Sequence, residues 1–137
     1  MERQKTLIDA SIIVKWFTEE ENTEKAIQLQ KEHIQRTRIL VIPKLAYLEV
    51  LNTLRYKKRD KETLQQVNEA LEELNFEIEP ITKEHREKTI ELALKLNLTI
   101  YDALYLTLAQ YLNIPLITAD KKLATLPESI TLEKLYP

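Results

Sequence analysis

The sequence contains neither cysteine nor glycine, and each absence excludes certain kinds of chemistry. Without cysteine, the chain has no thiol nucleophile, no thiolate metal site and no disulfide framework. Without glycine, it lacks the phosphate-binding loops of P-loop and dinucleotide-binding proteins, whose backbones need glycine to approach phosphate. Average usage near 7% would give about ten glycines at this length. Positions that require a positive φ angle must therefore use other residues, and we expect Asn97 and Asn113 to do so where helices end.

Long apolar runs are absent as well. No apolar run approaches the roughly 18 residues that a membrane-spanning helix needs. The apolar stretch near the N-terminus, residues 7–14, is short and contains Asp9, which argues against a signal peptide. The lack of cysteine fits a reducing compartment. We therefore expect a cytoplasmic protein that makes no membrane contact.

The composition is typical of a globular domain with a real core. The chain has 137 residues, of which 44% are hydrophobic and 31% are charged, and this length matches one ordinary domain. We predict a single domain over residues 1–137. The net charge is −2, so no overall positive field draws the protein to nucleic acid. A role on nucleic acid would need a local basic patch or bridging cations.

Short apolar strands alternate with helices along the chain. The hydrophobic pattern predicts strands at residues 6–8, 39–42, 76–79, 116–118 and 130–132. It predicts helices at residues 11–17, 20–37, 44–58, 61–74, 82–96 and 100–112, and a short one from Lys121. This alternation predicts an α/β fold with a parallel sheet covered by helices on both faces. In such sheets ligands bind beyond the carboxyl ends of the strands.

Aspartate is scarce, and its positions are informative. The chain has 22 acidic residues, and only four are aspartate: Asp9, Asp60, Asp102 and Asp120. Asp9 and Asp120 each follow a predicted strand, and Asp102 lies in the first turn of the most apolar helix. Three of the four aspartates are therefore candidates for one cleft at the carboxyl edge of the sheet.

Helix capping is the alternative explanation for these three aspartates. Asp9 and Asp120 are placed to cap the helices that follow them, although Ser11 could cap the first helix alone. Asp102 fits a capping box with Thr99. Capping does not require the strand-end acids to cluster, whereas a site for Mg²⁺ or Mn²⁺ does, because these ions take carboxylate oxygens.

Glu49 is a further candidate, in the predicted helix 44–58. On a helical wheel it lies away from the main apolar stripe, on the side of Asn52 and Tyr56. A solvated glutamate and a glutamate that lines a cleft would have the same spacing. Both interpretations therefore stay open from the sequence.

The remaining candidates lie in charged segments. We expect His33 and His85 to be solvated surface residues, and most tyrosines to lie in the core or an interface. One basic cluster follows Glu49 along the chain: Arg55, Lys57, Lys58 and Arg59. Cations near a helix C-terminus are favourable in themselves. The same cluster is also placed to contact an RNA backbone beside the cleft.

Four short blocks of sequence occur in order across almost the whole chain. They are residues 7–11 (LIDAS) followed by 14–16 (VKW), Pro43 followed by 49–54 (EVLNTL), 101–106 (YDALYL) and 114–120 (IPLITAD). In order and spacing they resemble the PIN-domain family, and closely its VapC group of toxin ribonucleases. One departure is Asn113, which stands where relatives often have glycine. Asparagine tolerates the left-handed conformation, so the fold stays the same.

The resemblance implies a PIN-like three-layer α/β/α domain with a short central parallel sheet. It implies that one or two Mg²⁺ or Mn²⁺ ions are held by an acidic quartet: Asp9, Glu49, Asp102 and Asp120. It implies polar support from Ser11, Asn52 and Thr118. The activity implied is that of a metal-dependent endoribonuclease that leaves a 3′-hydroxyl and a 5′-phosphate. The partners implied are an RNA substrate, a second copy in a homodimer and a small VapB-like antitoxin.

Other classes of protein fit parts of the pattern. A PIN-like scaffold could bind RNA or a protein without cutting. A receiver-like signalling module is also α/β and depends on Mg²⁺, but receivers place paired acids after the first strand, where Asp9 is single. In a receiver, Asp60 would accept the phosphoryl group, yet it follows the basic end of a predicted helix and not a strand. A metal-independent ribonuclease would rely on His33 and His85.

Overall fold

The computed structural model describes residues 3–137, so residues 1 and 2 of the predicted 1–137 domain lie outside the described residues. The strands are β1 (Gln4–Ile8), β2 (Arg38–Ile42), β3 (Glu77–Ile78), β4 (Leu116–Ile117) and β5 (Ser129–Ile130). The helices are α1 (Ala10–Val14), α2 (Thr23–Ile34), α3 (Leu45–Tyr56), α4 (Lys61–Glu73), α5 (Lys83–Leu96), α6 (Ile100–Leu112) and α7 (Leu132–Leu135). A 3₁₀ turn spans Leu123–Thr125.

The strands of residues 3–137 form a five-stranded parallel sheet in the order β3-β2-β1-β4-β5. The chain moves outward from β1 to β3 and then returns to place β4 on the other side of β1. This reversal is a topological switch point, where open α/β sheets form a crevice for ligands. The site candidates Asp9 and Asp120 follow the two strands that flank this point.

Alternate residues of the strands enter two separate cores. Leu7, Val41 and Leu116 are register partners across β1, β2 and β4 and pack on the side of α6. Ile8 and Ile117 face the opposite core, which α1 to α4 cover. Both faces of the sheet are therefore buried, because residues of both parities along each strand are apolar. The predicted three-layer α/β/α arrangement is confirmed.

Helix α6 lies against the sheet with most of its surface covered. Its seven residues Ala103–Ala109 are all buried, as expected for a helix that is apolar on nearly every side. Within residues 3–137, no single helix is long and apolar enough to span a membrane; α5 and α6 reach that length and composition only jointly, across a bend of 115°.

The helix ends show how a chain without glycine closes its turns. Asn97 and Asn113 end α5 and α6 in the left-handed region, with φ angles of 54° and 53°. Their predicted role is confirmed. The prediction of a strand at 130–132 is wrong at its end, because Leu132 begins α7 and Thr131 caps that helix by accepting a hydrogen bond from the Lys134 N–H at 3.3 Å.

The prediction that His33 and His85 are solvated is wrong, since they are only 0% and 4% exposed. His33 Nδ1 accepts from the Leu40 N–H at 3.0 Å, and Nε2 lies 2.7 Å from the Leu74 carbonyl oxygen. His85 Nδ1 accepts from the Thr82 N–H at 3.2 Å and completes a capping box at the start of α5. Both rings satisfy backbone groups in separate parts of the fold, which explains their burial.

Candidate active site

Asp9 is the buried centre of the candidate site. It follows β1 directly, is the N-cap of α1 and is only 5% exposed. Its Oδ1 accepts hydrogen bonds from the Ser11 N–H at 3.1 Å and the Ser11 hydroxyl at 2.5 Å. Its Oδ2 accepts from the Thr118 hydroxyl at 2.5 Å. Asp9 therefore caps α1 and belongs to the candidate site at the same time.

Ser11 and Thr118 join the ends of β1 and β4. Each hydroxyl donates to Asp9 and also accepts a backbone N–H: Ser11 from Ala119 at 2.9 Å, and Thr118 from Asp120 at 3.0 Å. Both hydroxyls therefore direct their protons at the Asp9 carboxylate. Asp120 Oδ1 accepts from the N–H of Leu123, the first residue of the 3₁₀ turn, at 2.8 Å. Two of the three residues predicted as polar support, Ser11 and Thr118, thus lie beside Asp9.

Glu49 reaches the site from α3 and is not a solvated glutamate. Its side chain is half-buried, and its Oε1 accepts a hydrogen bond from the Tyr105 hydroxyl at 2.5 Å. Tyr105 was not among the residues predicted for the site. Its spacing from Asp102 on α6 was an available signal, because residues three apart share a helix face.

Asp102 lies half-buried in the first turn of α6. Thr99 caps this helix by accepting from the Asp102 N–H at 3.0 Å. Among residues 3–137, the reciprocal hydrogen bond of a capping box, from the Thr99 N–H to the Asp102 carboxylate, is absent. The Asp102 carboxylate is therefore not used as the second half of a capping box.

A groove of about 1100 Å³ runs from Glu49 between α3 and α4. Asn52 lines this groove one turn after Glu49 and is exposed, so the structure does not bring it into contact with the acids. Arg55 and Arg59 of the predicted basic cluster line the same groove. The other two residues of the cluster, Lys57 and Lys58, are exposed, and the Lys57 ammonium lies 3.6 Å from a carboxylate oxygen of Glu20.

Burial and mutual electrostatic repulsion raise the pKa values of the acids. Burial raises the pKa of Asp9 to about 6, hydrogen bonds from Ser11 and Thr118 oppose this change, and the charge of Asp120 adds to it. Burial and then the charges of Asp9 and Asp102 raise the pKa of Glu49, against the Tyr105 hydrogen bond. Burial and neighbouring negative charge are the two effects that raise the pKa of carboxylates sharing a cleft with little water.

Asp102 completes this electrostatic cluster. Burial and the charge of Asp120 raise the pKa of Asp102, while a hydrogen bond with the Thr99 side chain and then the Lys122 ammonium oppose the change. None of the ion pairs found in residues 3–137 includes Asp9, Glu49, Asp102 or Asp120. Four mutually repelling acids without an ion-paired partner form a site that a cation would stabilise.

The carboxylate oxygens are donors that Mg²⁺ and Mn²⁺ prefer. In the part of the chain that the structure describes, no three His, Cys, Asp or Glu side chains are close enough to hold one ion together. Mg²⁺ is commonly held by one or two carboxylates and keeps several waters. The residues present therefore fit an ion that has few direct protein ligands.

The sheet order and the acidic edge define an α/β protein with a carboxylate site at its topological switch point. The model of the PIN domain family matches residues 6–128, and the chain belongs to this family. The resemblance drawn from the four sequence blocks is confirmed. No curated protein sequence matches the chain.

Several solved structures share the fold over nearly the whole chain. A toxin–antitoxin complex from Klebsiella pneumoniae has 22% identity and a TM-score of 0.67, over 93% of this chain and 97% of that one. The VapC20 toxin of Mycobacterium tuberculosis, which cleaves the sarcin–ricin loop, has 12% identity and a TM-score of 0.70, over 88% and 93%. VapBC2 of Rickettsia felis, bound to a DNA fragment from its promoter, has 18% identity and a TM-score of 0.64, over 93% and 97%.

The receiver-like alternative is wrong on two observations. The sheet order β3-β2-β1-β4-β5 differs from the order 2-1-3-4-5 of receiver domains. Asp60, which would have to accept the phosphoryl group, is exposed and caps α4, where its Oδ1 accepts from the Thr63 N–H at 2.8 Å. Its role is therefore the ordinary one of a helix N-cap.

Proposed function

We propose that this protein is a metal-dependent endoribonuclease and the toxin of a type II toxin–antitoxin pair. The observation that carries the proposal is the buried Asp9 at the switch point, linked through pairwise charge repulsion to Glu49, Asp102 and Asp120. None of these acids has an ion-paired cation in residues 3–137. Burial of this much negative charge costs stability unless a ligand compensates it. Membership of the PIN-domain family and the fold shared with VapC toxins support the proposal.

Asp9, Glu49, Asp102 and Asp120 would hold one or two Mg²⁺ or Mn²⁺ ions. When bound, such an ion supplies an activated water and offsets charge on the phosphate and the leaving group. Ser11 and Thr118 orient Asp9 and favour its ionised form, because both hydroxyls donate hydrogen bonds to its carboxylate. Hydrolysis in this way would break the bond between phosphorus and the 3′-oxygen and leave a 3′-hydroxyl and a 5′-phosphate.

RNA has to approach a protein whose net charge is −2. We propose that Arg55, Lys57, Lys58 and Arg59 contact the RNA backbone beside the acids. Arg55 and Arg59 line the groove that begins at Glu49, which supports this role. Phosphate contacts of this kind supply affinity without reading sequence.

The partners proposed are a second copy of the chain and a small VapB-like antitoxin that occupies the cleft. Large apolar side chains are exposed next to two of the acids, Leu48 beside Glu49 and Tyr101 beside Asp102. Exposed apolar residues at the rim of a polar site favour a protein partner. The Klebsiella and Rickettsia relatives are toxin–antitoxin assemblies, which supports the same proposal. A cytoplasmic location completes it, since the RNA substrate is there.

An RNA digest in Mg²⁺ or Mn²⁺, repeated after exhaustive chelation with EDTA, tests the proposed activity. We expect cleavage with metal and none in EDTA, with activity restored when Mn²⁺ is added back. Cleavage that survives chelation would contradict the metal dependence. Binding of RNA without any cleavage would instead favour the non-catalytic scaffold.

A further inference from the structure

A buried hydrogen bond ties α6 to the acidic site. The Tyr105 hydroxyl donates to Glu49 Oε1 at 2.5 Å, and the tyrosine is only 1% exposed. A buried tyrosine hydroxyl needs a hydrogen-bond partner. In residues 3–137 that partner is a carboxylate of the site and not a backbone group of the core.

The Tyr105 hydroxyl is the donor in this bond. The acceptor is a carboxylate oxygen, and the buried ring leaves the hydroxyl no exposed face for water. The ring is packed with Leu104 and Leu108, where water does not compete for the hydroxyl. Hydrogen bonds to an ionised acceptor are among the shortest and strongest in proteins.

This bond limits how Glu49 can be oriented. Oε1 is occupied by Tyr105, and Oε2 accepts no hydrogen bond from any of the described residues. Glutamate has a flexible side chain that loses conformational freedom when it binds a ligand. A glutamate already held by a buried donor has lost much of that freedom before the ligand arrives.

We propose that Tyr105 is a positioning residue, which fixes the Glu49 carboxylate for the cation of the acidic site. Asp102 and Tyr105 are three residues apart on one face of α6, so this helix supplies one acid itself and orients a second through the phenol. The inference rests on the proposed function. Groups that orient a metal ligand commonly change metal affinity by roughly 10–100-fold when they are removed.

The substitution Tyr105→Phe tests this role, because it removes one oxygen atom and keeps the ring. A matched control exists at the C-terminus, where the Tyr136 hydroxyl donates to Glu32 Oε2 at 2.6 Å. Glu32 pairs with Arg38, the first residue of β2, at the opposite end of the strand from the site. Tyr136→Phe therefore removes a similar tyrosine–glutamate bond away from the acids.

Mn²⁺ binding to the metal-free proteins would be measured by titration calorimetry, beside thermal melts and RNA cleavage at increasing Mn²⁺. We expect Tyr105→Phe to bind Mn²⁺ roughly 10–100-fold more weakly, while Tyr136→Phe binds like wild type. Both variants should show a lower melting temperature. High Mn²⁺ should return the cleavage rate of Tyr105→Phe towards that of wild type, since the acids themselves are intact.

The outcomes separate this role from the proposed function. If wild type binds Mn²⁺ and cuts RNA and Tyr105→Phe binds Mn²⁺ equally well, the role of Tyr105 is overturned and the function stands. If wild type binds no Mn²⁺, both are overturned. An equal loss of affinity in Tyr136→Phe, or a loss of cleavage that more Mn²⁺ does not reverse, would show a structural effect and overturn the positioning role.

Discussion

At the scale of single residues, Asp9 shows that a charge needed at the site lowers the stability of the fold. Its carboxylate is buried and receives three hydrogen bonds, yet burial still dominates and raises its pKa to about 6. The hydrogen bonds orient the group without removing the cost of its charge. The folded protein is therefore least stable when Asp9 is ionised and no cation is bound.

The substitution Asp9→Asn should reveal that cost as a function of pH. Because the pKa in the folded state lies above the ordinary value of 3.8, the folded protein binds more protons between these values and its stability falls as pH rises through them. The interval from 3.8 to about 6 corresponds to on the order of 3 kcal/mol. In EDTA, the free energy of unfolding of Asp9→Asn relative to wild type should therefore rise as pH increases from 4 to about 7.

Asp60→Asn is the matched control for this measurement. A hydrogen bond from the Thr63 N–H lowers the pKa of the exposed Asp60, so its charge stabilises the fold and that contribution is lost as pH falls. The control should therefore change in the opposite direction, being less stable than wild type near neutral pH. Urea unfolding at several pH values measures both variants. A pH-independent difference between Asp9→Asn and wild type would contradict the account of Asp9.

At the scale of helices and strands, left-handed residues replace glycine at the ends of elements. Asn22, Asn75, Asn97 and Asn113 all have positive φ angles. Asparagine is tolerated there because its short polar side chain can form local hydrogen bonds. Asn113 matters most for the site, since it connects the buried α6 to the strand β4 that leads to Thr118 and Asp120.

Two substitutions at Asn113 test this use of asparagine. Asn113→Ala should lower the free energy of unfolding by about 1 kcal/mol, because an ordinary residue is disfavoured in the left-handed region. Asn113→Gly should leave it unchanged or raise it slightly, since glycine enters this region freely. Urea unfolding of the three proteins checks this, and equal stability of the alanine and glycine variants would contradict it.

Periodicity predicted α6 at its observed bounds and located every strand, but several element ends were misplaced. The strand predicted at 130–132 failed because Thr131 caps α7, a local hydrogen bond that competes with strand pairing. His33 and His85 were assigned to the surface because their neighbours along the chain are charged. The burial of His33 depends on a group distant along the chain, the Leu74 carbonyl, and sequence spacing carries no signal of that contact. His85 instead bonds to Thr82, three residues earlier, and the charged residues around it masked this local capping box.

At the scale of the whole molecule, the four acids come from four parts of the chain: the ends of β1 and β4, and the helices α3 and α6. The strand-end positions of Asp9 and Asp120 could be predicted, because parallel strands end at one edge of the sheet. The place of Glu49 could not, since it depends on how α3 lies against α6. Tyr105, which makes that contact, looked like an ordinary core residue.

The proposed homodimer gives a prediction at this scale. Ile90, Ile100 and Tyr101 line an apolar depression of about 460 Å³ together with Leu45 and Ile81. If this face is the dimer interface, Ile90→Glu should give a monomer, because it would bury a charge. Ile34→Glu is the control, since Ile34 is 59% exposed against 52% for Ile90 but lies on α2. Ultracentrifugation at tens of micromolar measures the oligomeric state of wild type and both variants. A monomeric wild type would contradict the proposed dimer.

The central claim is that the four acids form one metal-dependent RNA-cleaving site, and Asp102→Asn tests it most directly. The variant keeps the Thr99 cap and removes one repelling charge, so its metal-free form should melt higher than wild type. Mg²⁺ should stabilise wild type more than the variant, because binding to the folded state is linked to stability. One RNA digest, with melts in EDTA and in Mg²⁺, gives the result. The account predicts no cleavage by Asp102→Asn and full cleavage by Asp60→Asn; an Asp102→Asn protein that still cuts RNA, with an unchanged response to Mg²⁺, would contradict it.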